Sequence, residues 1–353
     1  MTYQDQKQEE EEEVSIGVDI GGTHILAIVM NRAGTIYSSE ERDILAKDRM
    51  NIDQIIQLLV DCIISLIKKQ TNKMMIVGIG LGIPGNVNPD TGHTRYLPNF
   101  GWLEPVPLRS LLQQKLSTNT TITMNNNYNN IQMRNDGRCA ALAEQFFSTS
   151  NTSGSGDYFA MMTLGTGIGG AFLFSGQTLL DGCSYDAGDF GHHVICSGQQ
   201  AFDCVCGKRG CFETQASAAG LVRHYNHLLS ARKKEEQPPV SLDNAKYVID
   251  LVVSNKSKVA EEAFENYLHD LSTGIANVIT FYNPSMIVLG GKLGQHPLLY
   301  SQFHNRTLQQ RVDDKTLPAT RGKCRIQPAR LASNSGAMGA ALLPFLYPNN
   351  KKE

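Results

Sequence analysis

Residues 186 to 213, DAGDFGHHVICSGQQAFDCVCGKRGCFE, constrain this chain more than any other stretch. Cys204, Cys206 and Cys211 fall close together with Gly207 and Gly210 between them, and the pair His192–His193 stands just upstream. Thiolates at this spacing suit a tetrahedral Zn²⁺ site whose fourth ligand is a histidine arriving across a loop. The glycines let the backbone bend tightly enough for the sulfurs to converge. The alternative is buried or disulfide-bonded cysteine. The N-terminus MTYQDQKQEEEEE lacks the basic-then-apolar layout of a secretory signal, which speaks for a reducing compartment and against disulfides. Four protein ligands leave no coordination position open, so the zinc is expected to be structural. Asp189 and Glu213 flank the ligands. Carboxylates on a metal-stapled loop suit a polyhydroxylated ligand.

A chain of 353 residues with a net charge of −2 has room for two domains and no charge excess for a polyanion or a membrane surface. No apolar run approaches the roughly 18 residues that span a bilayer. A cytoplasmic location is expected, with neither nucleic acid nor membrane as partner. Residues 1–13 read as a disordered acidic tail.

From Val14 to Ile20 apolar residues alternate as in a strand, and a second apolar run follows from Ile25 to Met30. Between them lies Asp19-Ile20-Gly21-Gly22-Thr23-His24, a glycine turn that would let backbone N–H groups approach an anion. Asp19 would oppose a phosphate unless a cation such as Mg²⁺ came between them. Residues 51–69 carry a helical stripe of isoleucine and leucine, a core face. The strand from Met75 ends in Gly82-Ile83-Pro84-Gly85-Asn86, and a second turn, Pro98-Asn99-Phe100-Gly101-Trp102, follows. The asparagine tract Asn125–Asn130 reads as a surface insertion. A strand then leads to Asn135-Asp136-Gly137 and a helix from about Arg138 to Phe147. Asp136 is expected to cap that helix, or to serve as a general base, or both.

Gly165, Gly167 and Gly170 fit G-x-G-x-x-G, but the β-like run Ala171–Phe174 follows where a dinucleotide fold requires a helix. This is a second glycine hairpin. Two such turns suggest two related lobes grasping one phosphate chain. Residues 259–282 read as a long helix stopped by Asn283-Pro284, and the strand Met286–Leu289 ends in Gly290-Gly291. A small-residue helix begins at Ser335.

In this order the elements resemble the ROK family of sugar kinases and sugar-responsive repressors, from about Val14 to Leu343. Asp19-Ile20-Gly21-Gly22-Thr23 is similar to its first phosphate motif, Leu164-Gly165-Thr166-Gly167 to its second and Asn135-Asp136 to its catalytic pair. Gly191-His192 with Cys204-x-Cys206-Gly-x-x-Gly-Cys211-x-Glu213 is similar to its zinc signature. The resemblance implies an α/β, two-lobed, actin-like ATPase (ribonuclease H-like) fold with a central ligand cleft and a structural zinc loop. It places the lobes at 14–134 and 135–353, with the last helix packing back on the first lobe. It also implies ATP-dependent phosphorylation of a sugar 6-hydroxyl, with Asp136 as base. Gly85, Asn99, Asn135, Asp136, Asp189, His192 and Glu213 would contact the sugar. Gly21, Gly22, Thr23, His24, Thr166 and Gly167 would approach the ATP phosphates, with Asp19 near Mg²⁺ and Gly290 and Gly291 near the adenosine. His192, Cys204, Cys206 and Cys211 would hold the Zn²⁺. A homodimer is what the family suggests.

Asp189 departs from the family, which usually has Glu there; the shorter side chain bears on substrate preference. The turns at Gly82–Asn86 and Pro98–Trp102 resemble the family's glucokinases, whereas Asn135–Glu144 is similar to animal N-acetylmannosamine kinase. Glucose is the leading expectation, an N-acetylhexosamine the second. A repressor would need a DNA-binding helix-turn-helix ahead of the first phosphate motif, where this sequence has only the acidic stretch. A sugar-binding sensor without turnover is the remaining alternative.

Overall fold

The computed structural model describes residues 11–69, 74–97, 100–118, 129–148, 158–175, 177–232 and 239–348. Its first elements are β1 (Glu12–Ile20), β2 (His24–Asn31), β3 (Ile36–Asp43), α1 (Ile52–Lys68), β4 (Met74–Ile83), β5 (Asn86–Asn88) and β6 (His93–Tyr96). Then come α2 (Leu108–Ser117), β7 (Ile131–Asn135), α3 (Asp136–Ala143), β8 (Tyr158–Leu164), β9 (Ile168–Phe174) and β10 (Thr178–Leu179). The remainder comprises α4 (Phe212–Ala216), α5 (Ala218–Ala231), α6 (Ala245–Val253), α7 (Lys258–Tyr282), β11 (Met286–Gly290), α8 (Gly291–Gly294), α9 (Leu308–Asp313), β12 (Arg325–Pro328) and α10 (Ser335–Leu346). Among the described residues no helix is long and apolar enough to cross a membrane.

The chain divides into one unit of residues 1–143 and 333–353 and another of residues 144–332. The first is built on a five-stranded sheet in the order β3-β2-β1-β4-β7, antiparallel through β1–β3 and parallel from β1 to β7. The alternation of β1 sends Val14, Ile16, Val18 and Ile20 into a core shared with Ile55, Ile56, Leu59 and Ile63 of α1. Asn51 caps α1 by accepting from Gln54 N at 3.2 Å. The residues between them on β1 meet α10. Ser15 Oγ donates to Ala341 O at 2.5 Å, and Gly17 faces the backbone of Ala337 and Ala341.

Helix α10 sits this close because its crossing points lack side chains. A Cβ on Gly80 of β4 would land on the Ala340 carbonyl, and one on Gly339 would land on the Cys139 carbonyl of α3. That packing explains why the division falls at 143/144 rather than at the expected 134/135. Cys139 and Ala140–Ala143 are buried, and α3 and α10 pack against each other within the first unit. The expected tail is also shorter. Glu12 and Glu13 are strand, paired with Met74 and Met75 of β4, and Glu12 accepts from Asn31 Nδ2 at 2.8 Å and Tyr37 Oη at 2.5 Å. A neighbouring strand to complete the ladder outweighs the charge of two acids at an exposed strand end. Residues 1–10 and the tract 125–128 lie outside the described residues, as does the Ser/Gly-rich run at 149–157.

The second unit repeats the plan with the order β10-β9-β8-β11-β12, antiparallel from β8 to β10 and parallel from β8 to β12. Its core gathers Phe212, Tyr225, Phe264, Tyr267, Leu271 and Ile275. Helix α7 ends at Asn283, which takes the left-handed conformation (φ 45°) expected of a helix C-terminus. Buried Glu144 accepts from the N–H groups of Arg330 and Leu331 at 2.8 and 2.7 Å, joining the start of this unit to its end.

Gly80→Ala is expected to destabilise the chain by about 2–3 kcal/mol, because the methyl meets backbone rather than a movable side chain. The urea midpoint reads it; an unchanged midpoint would mean that α10 yields.

Candidate active site

The turn between β1 and β2 closes with Gly21 N donating to His24 O at 2.8 Å, while Thr23 O accepts from Ile44 N at 2.7 Å. Thr23 and His24 are exposed, their Oγ1 and Nδ1 3.1 Å apart. Among the described residues, its chain neighbours aside, none has an atom within 4 Å of where a Gly22 side chain would be, so a ligand could reach the backbone there.

Asp19 closes β1 under this turn, its carboxylate so near the start of α10 that a Cβ on Gly336 would collide with it. The space where Gly82 lacks a side chain is bounded by Asp19 Oδ1 at 3.4 Å, Cys139 Sγ at 3.5 Å and Asp136 Cα at 3.6 Å. Burial, and then the Asp136 charge, raise the Asp19 carboxyl from 3.8 to about 7. Burial raises Asp136 to about 6, against hydrogen bonds led by that from Gly137 N at 2.8 Å. A carboxyl that holds its proton this tightly fits a partly hydrated Mg²⁺, which would stabilise the Asp19 anion.

Asn135, not Asp136, caps α3: Asn135 Oδ1 accepts from Arg138 N at 3.3 Å, and its Nδ2 donates to Gly85 O at 3.1 Å. Asp136 is the first helical residue, and α3 continues beyond Ala143 as a π turn, Glu144–Ser148. The cap ties the turn at Gly85, itself left-handed at φ 97°, to the Asp136 backbone. Asn99 lies outside the described residues. Trp102 is buried against Phe100, ring centroids 5.4 Å apart, so it belongs to the core.

In the second unit the turn between β8 and β9 closes with Gly165 N donating to Gly167 O at 3.0 Å and leaves Thr166 exposed. Glu213 Oε2 accepts from Ile168 N at 2.9 Å and occupies the space that Gly167 leaves open. Gly191 packs on the Ile168 carbonyl, which carries exposed Asp189 and half-buried His192 to the same end of β9. Gly290 pairs with Thr163, and Gly291, at φ 77°, lies against the Leu164 backbone. Residues named for sugar, phosphate and adenosine in this unit therefore gather around one strand–turn–strand. The bond from Ile168 N to Glu213 had no sequence signal, since 45 residues separate its partners.

His192, Cys204, Cys206 and Cys211 place their ligand atoms within 4.8 Å of one another. Cys204 Sγ is 3.6 Å from His192 Nδ1, and Cys206 Sγ is 3.6 Å from Cys211 Sγ. A tetrahedron with bonds of roughly 2.3 Å has edges of about 3.7 Å, so this donor set fits Zn²⁺. Gly207 and Gly210 turn at φ 85° and 72°, as the sequence implied, and all eight cysteines are free thiols. Burial raises Cys204, and raises Cys211 to about 12, whereas the Lys208 backbone N–H lowers exposed Cys206. Such thiols ionise together only against a cation. His193 is not a ligand: its Nδ1 is 2.5 Å from Phe190 O and its ring lies 5.2 Å from that of Phe212.

The ROK family profile matches residues 15–344. The chain belongs to the ROK family. It is similar to a glucokinase of Halalkalibacterium halodurans, 28% identical over 96% of this chain and 97% of that one. It is also similar to a xylose repressor of Caldicellulosiruptor bescii, 27% identical over 92% of this chain and 76% of that one. Among solved structures, a ROK glucokinase from Streptomyces griseus in complex with glucose and AMPPNP superposes with a TM-score of 0.67, at 23% identity, over 94% of this chain and 98% of that one. The likeness carries the fold of that structure to this chain.

The purified protein is expected to carry one zinc ion per chain, and Cys206→Ser to lose both the metal and several degrees of melting temperature. Elemental analysis beside a thermal melt reads this; a wild-type chain that is folded and metal-free would contradict it.

Proposed function

We propose that this ROK-family sugar kinase transfers the γ-phosphoryl group of ATP to the 6-hydroxyl of a hexose, with glucose as substrate. The observation that carries the reading is Asp136: a partly desolvated carboxylate at a helix start, fixed by an asparagine cap, with a pKa raised to about 6. A general base is most effective when its pKa approaches the working pH. In this reading Asp136 accepts the hydroxyl proton as the oxygen attacks phosphorus. Gly85, Asn99, Asn135, Asp189, His192 and Glu213 hold the ring. Glu213 accepts a sugar hydroxyl while Ile168 N holds its other side, so the carboxylate is oriented before substrate arrives.

The N–H groups at Gly21–Thr23 and Thr166–Gly167 would donate to the phosphates, with His24 beside the first set and Gly290–Gly291 beside the adenosine. Bound Mg²⁺ would neutralise charge on the phosphates, and Asp19 is the residue that would hold it. Phosphoryl transfer asks for little beyond this positioning and charge neutralisation. His192, Cys204, Cys206 and Cys211 would hold a zinc ion with no open position for chemistry, and so would keep His192 and Glu213 in place. The turn Gly82–Asn86 beside the base supports glucose. The stretch Asn135–Glu144, similar to N-acetylmannosamine kinase, supports an N-acetylhexosamine as the second reading.

ADP release with ATP and Mg²⁺ over glucose, mannose, fructose, N-acetylglucosamine and N-acetylmannosamine tests the proposal. Turnover on glucose is expected. Turnover confined to an N-acetylhexosamine would select the second reading, and silence on all five from zinc-loaded, folded protein would overturn the kinase assignment in favour of a sensor.

Two further outcomes follow from the raised carboxyl. The base must be ionised, so kcat/KM should fall as pH drops through about 6, which a pH–rate profile reads. Because the folded state raises this pKa, ionisation of Asp136 costs stability as pH rises from 3.8 through about 6. Asp136→Asn should therefore abolish turnover, retain sugar binding and raise stability at mildly alkaline pH by about 1–2 kcal/mol; wild-type turnover in this variant would refute the assigned base.

A further inference from the structure

The zinc loop has a second anchor, which the proposed chemistry does not use. Gln215, two residues after Glu213 on α4, is 1% exposed. Its Oε1 accepts from Phe202 N at 3.0 Å, and its Nε2 donates to Gln200 O at 3.3 Å and to Asp270 Oδ2 of α7 at 3.1 Å. Asp270 Oδ2 lies 3.2 Å from His224 Nε2 of α5, and that nitrogen is 3.1 Å from the Gln215 carbonyl. The Phe202 ring stands edge-on to the His224 ring at 5.2 Å. One buried amide thus joins the zinc loop just ahead of Cys204, the helix just after Cys211, and the helices behind them.

Only an amide satisfies this place. The oxygen must accept from Phe202 N while the nitrogen donates both to a carbonyl and to a carboxylate. A glutamate would set a carboxylate against Asp270, and a leucine of similar volume would leave the Phe202 N–H and Asp270 short of a partner. Helix α4 has five residues and cannot hold its own shape. Its placement comes from Cys211, from Phe212 lodged where Gly274 of α7 lacks a side chain, and from Gln215.

We infer that Gln215, backed by Asp270 and His224, is a positioning residue: it keeps Cys204 and Cys206 in register with Cys211 and keeps Glu213 aimed at the sugar. The sugar half of this inference rests on the kinase reading, and the zinc half stands without it.

The test uses full-length, zinc-loaded protein with two readouts. The first is the rate of zinc release to excess chromogenic chelator. Gln215→Leu is expected to accelerate release by about ten-fold. That is the low end of what loss of a group bonded directly to a metal ligand does to affinity, since Gln215 acts through the loop backbone. Asp270→Ala should do the same, Asp270→Asn should rescue because its amide oxygen still accepts from Gln215, and Gln215→Leu with Asp270→Ala should add nothing to Gln215→Leu alone. The second is steady-state kinetics at saturating ATP, where Gln215→Leu should raise sugar KM by about five-fold with kcat held within about two-fold. Unchanged zinc release in Gln215→Leu would overturn the clamp. Faster release with an unchanged KM, or with kcat and kcat/KM falling together, would overturn its link to sugar. If Gln215→Leu does not fold, the Asp270→Ala and Asp270→Asn pair decides by the same readouts. Wild-type protein silent on every sugar would sink the kinase reading, and zinc release would still judge the clamp.

Discussion

The close approach of α10 to its sheet sets the geometry of the first unit. Gly17 and Gly80 carry no Cβ where they meet it, nor does its own Gly339 where it meets α3, so helix backbone rests on strand and helix backbone. Packing of this kind tolerates no added atom, and it fixes what lies at its margin. The start of α10 bears on Asp19, and α3, wedged beside α10, begins with Asp136. Two carboxylates are thereby held around Gly82 with too little water to ionise easily. The fold spends stability to do this, as active sites commonly do.

The zinc loop poses the same problem with sulfur. Its thiols and His192 bring their ligand atoms within 4.8 Å of one another, and burial raises two of the thiols. A dication would resolve the crowding, and in doing so would fix His192 at one end of the loop and Cys211, hence α4, at the other. Gln215 fixes the same helix from the protein side. Glu213 between them has its carboxylate already engaged by Ile168 N. The amide and the backbone each restrain one short helix that could not be ordered by its own hydrogen bonds, and a bound metal would add a third restraint.

What could be read in the chain was local. Alternating Val14, Ile16 and Val18 announced a strand, the stripe from Ile52 to Ile67 a helix, and Asn283-Pro284 a stop, because periods and φ preferences act over a few residues. Gly207 and Gly210 announced the bends of the zinc loop for the same reason. The misreadings were of competition between neighbours. Asn135 and Asp136 are both good caps, and only the path of the chain decided that Asn135 takes Arg138 N. Glu12 and Glu13 looked solvated, and only the presence of β4 alongside drew them into the ladder.

The sequence by itself determined the family, the two strand–glycine–strand turns, the donor set for zinc and the candidate base, since each is written in residue types at short spacing. The tertiary structure alone decided the division after Ala143, the Glu213–Ile168 bond, the raised carboxyls and the Gln215–Asp270–His224 anchor. These depend on burial and on contacts between residues tens to hundreds of positions apart. Chain closure brings such residues together, and no local pattern encodes which of them will meet.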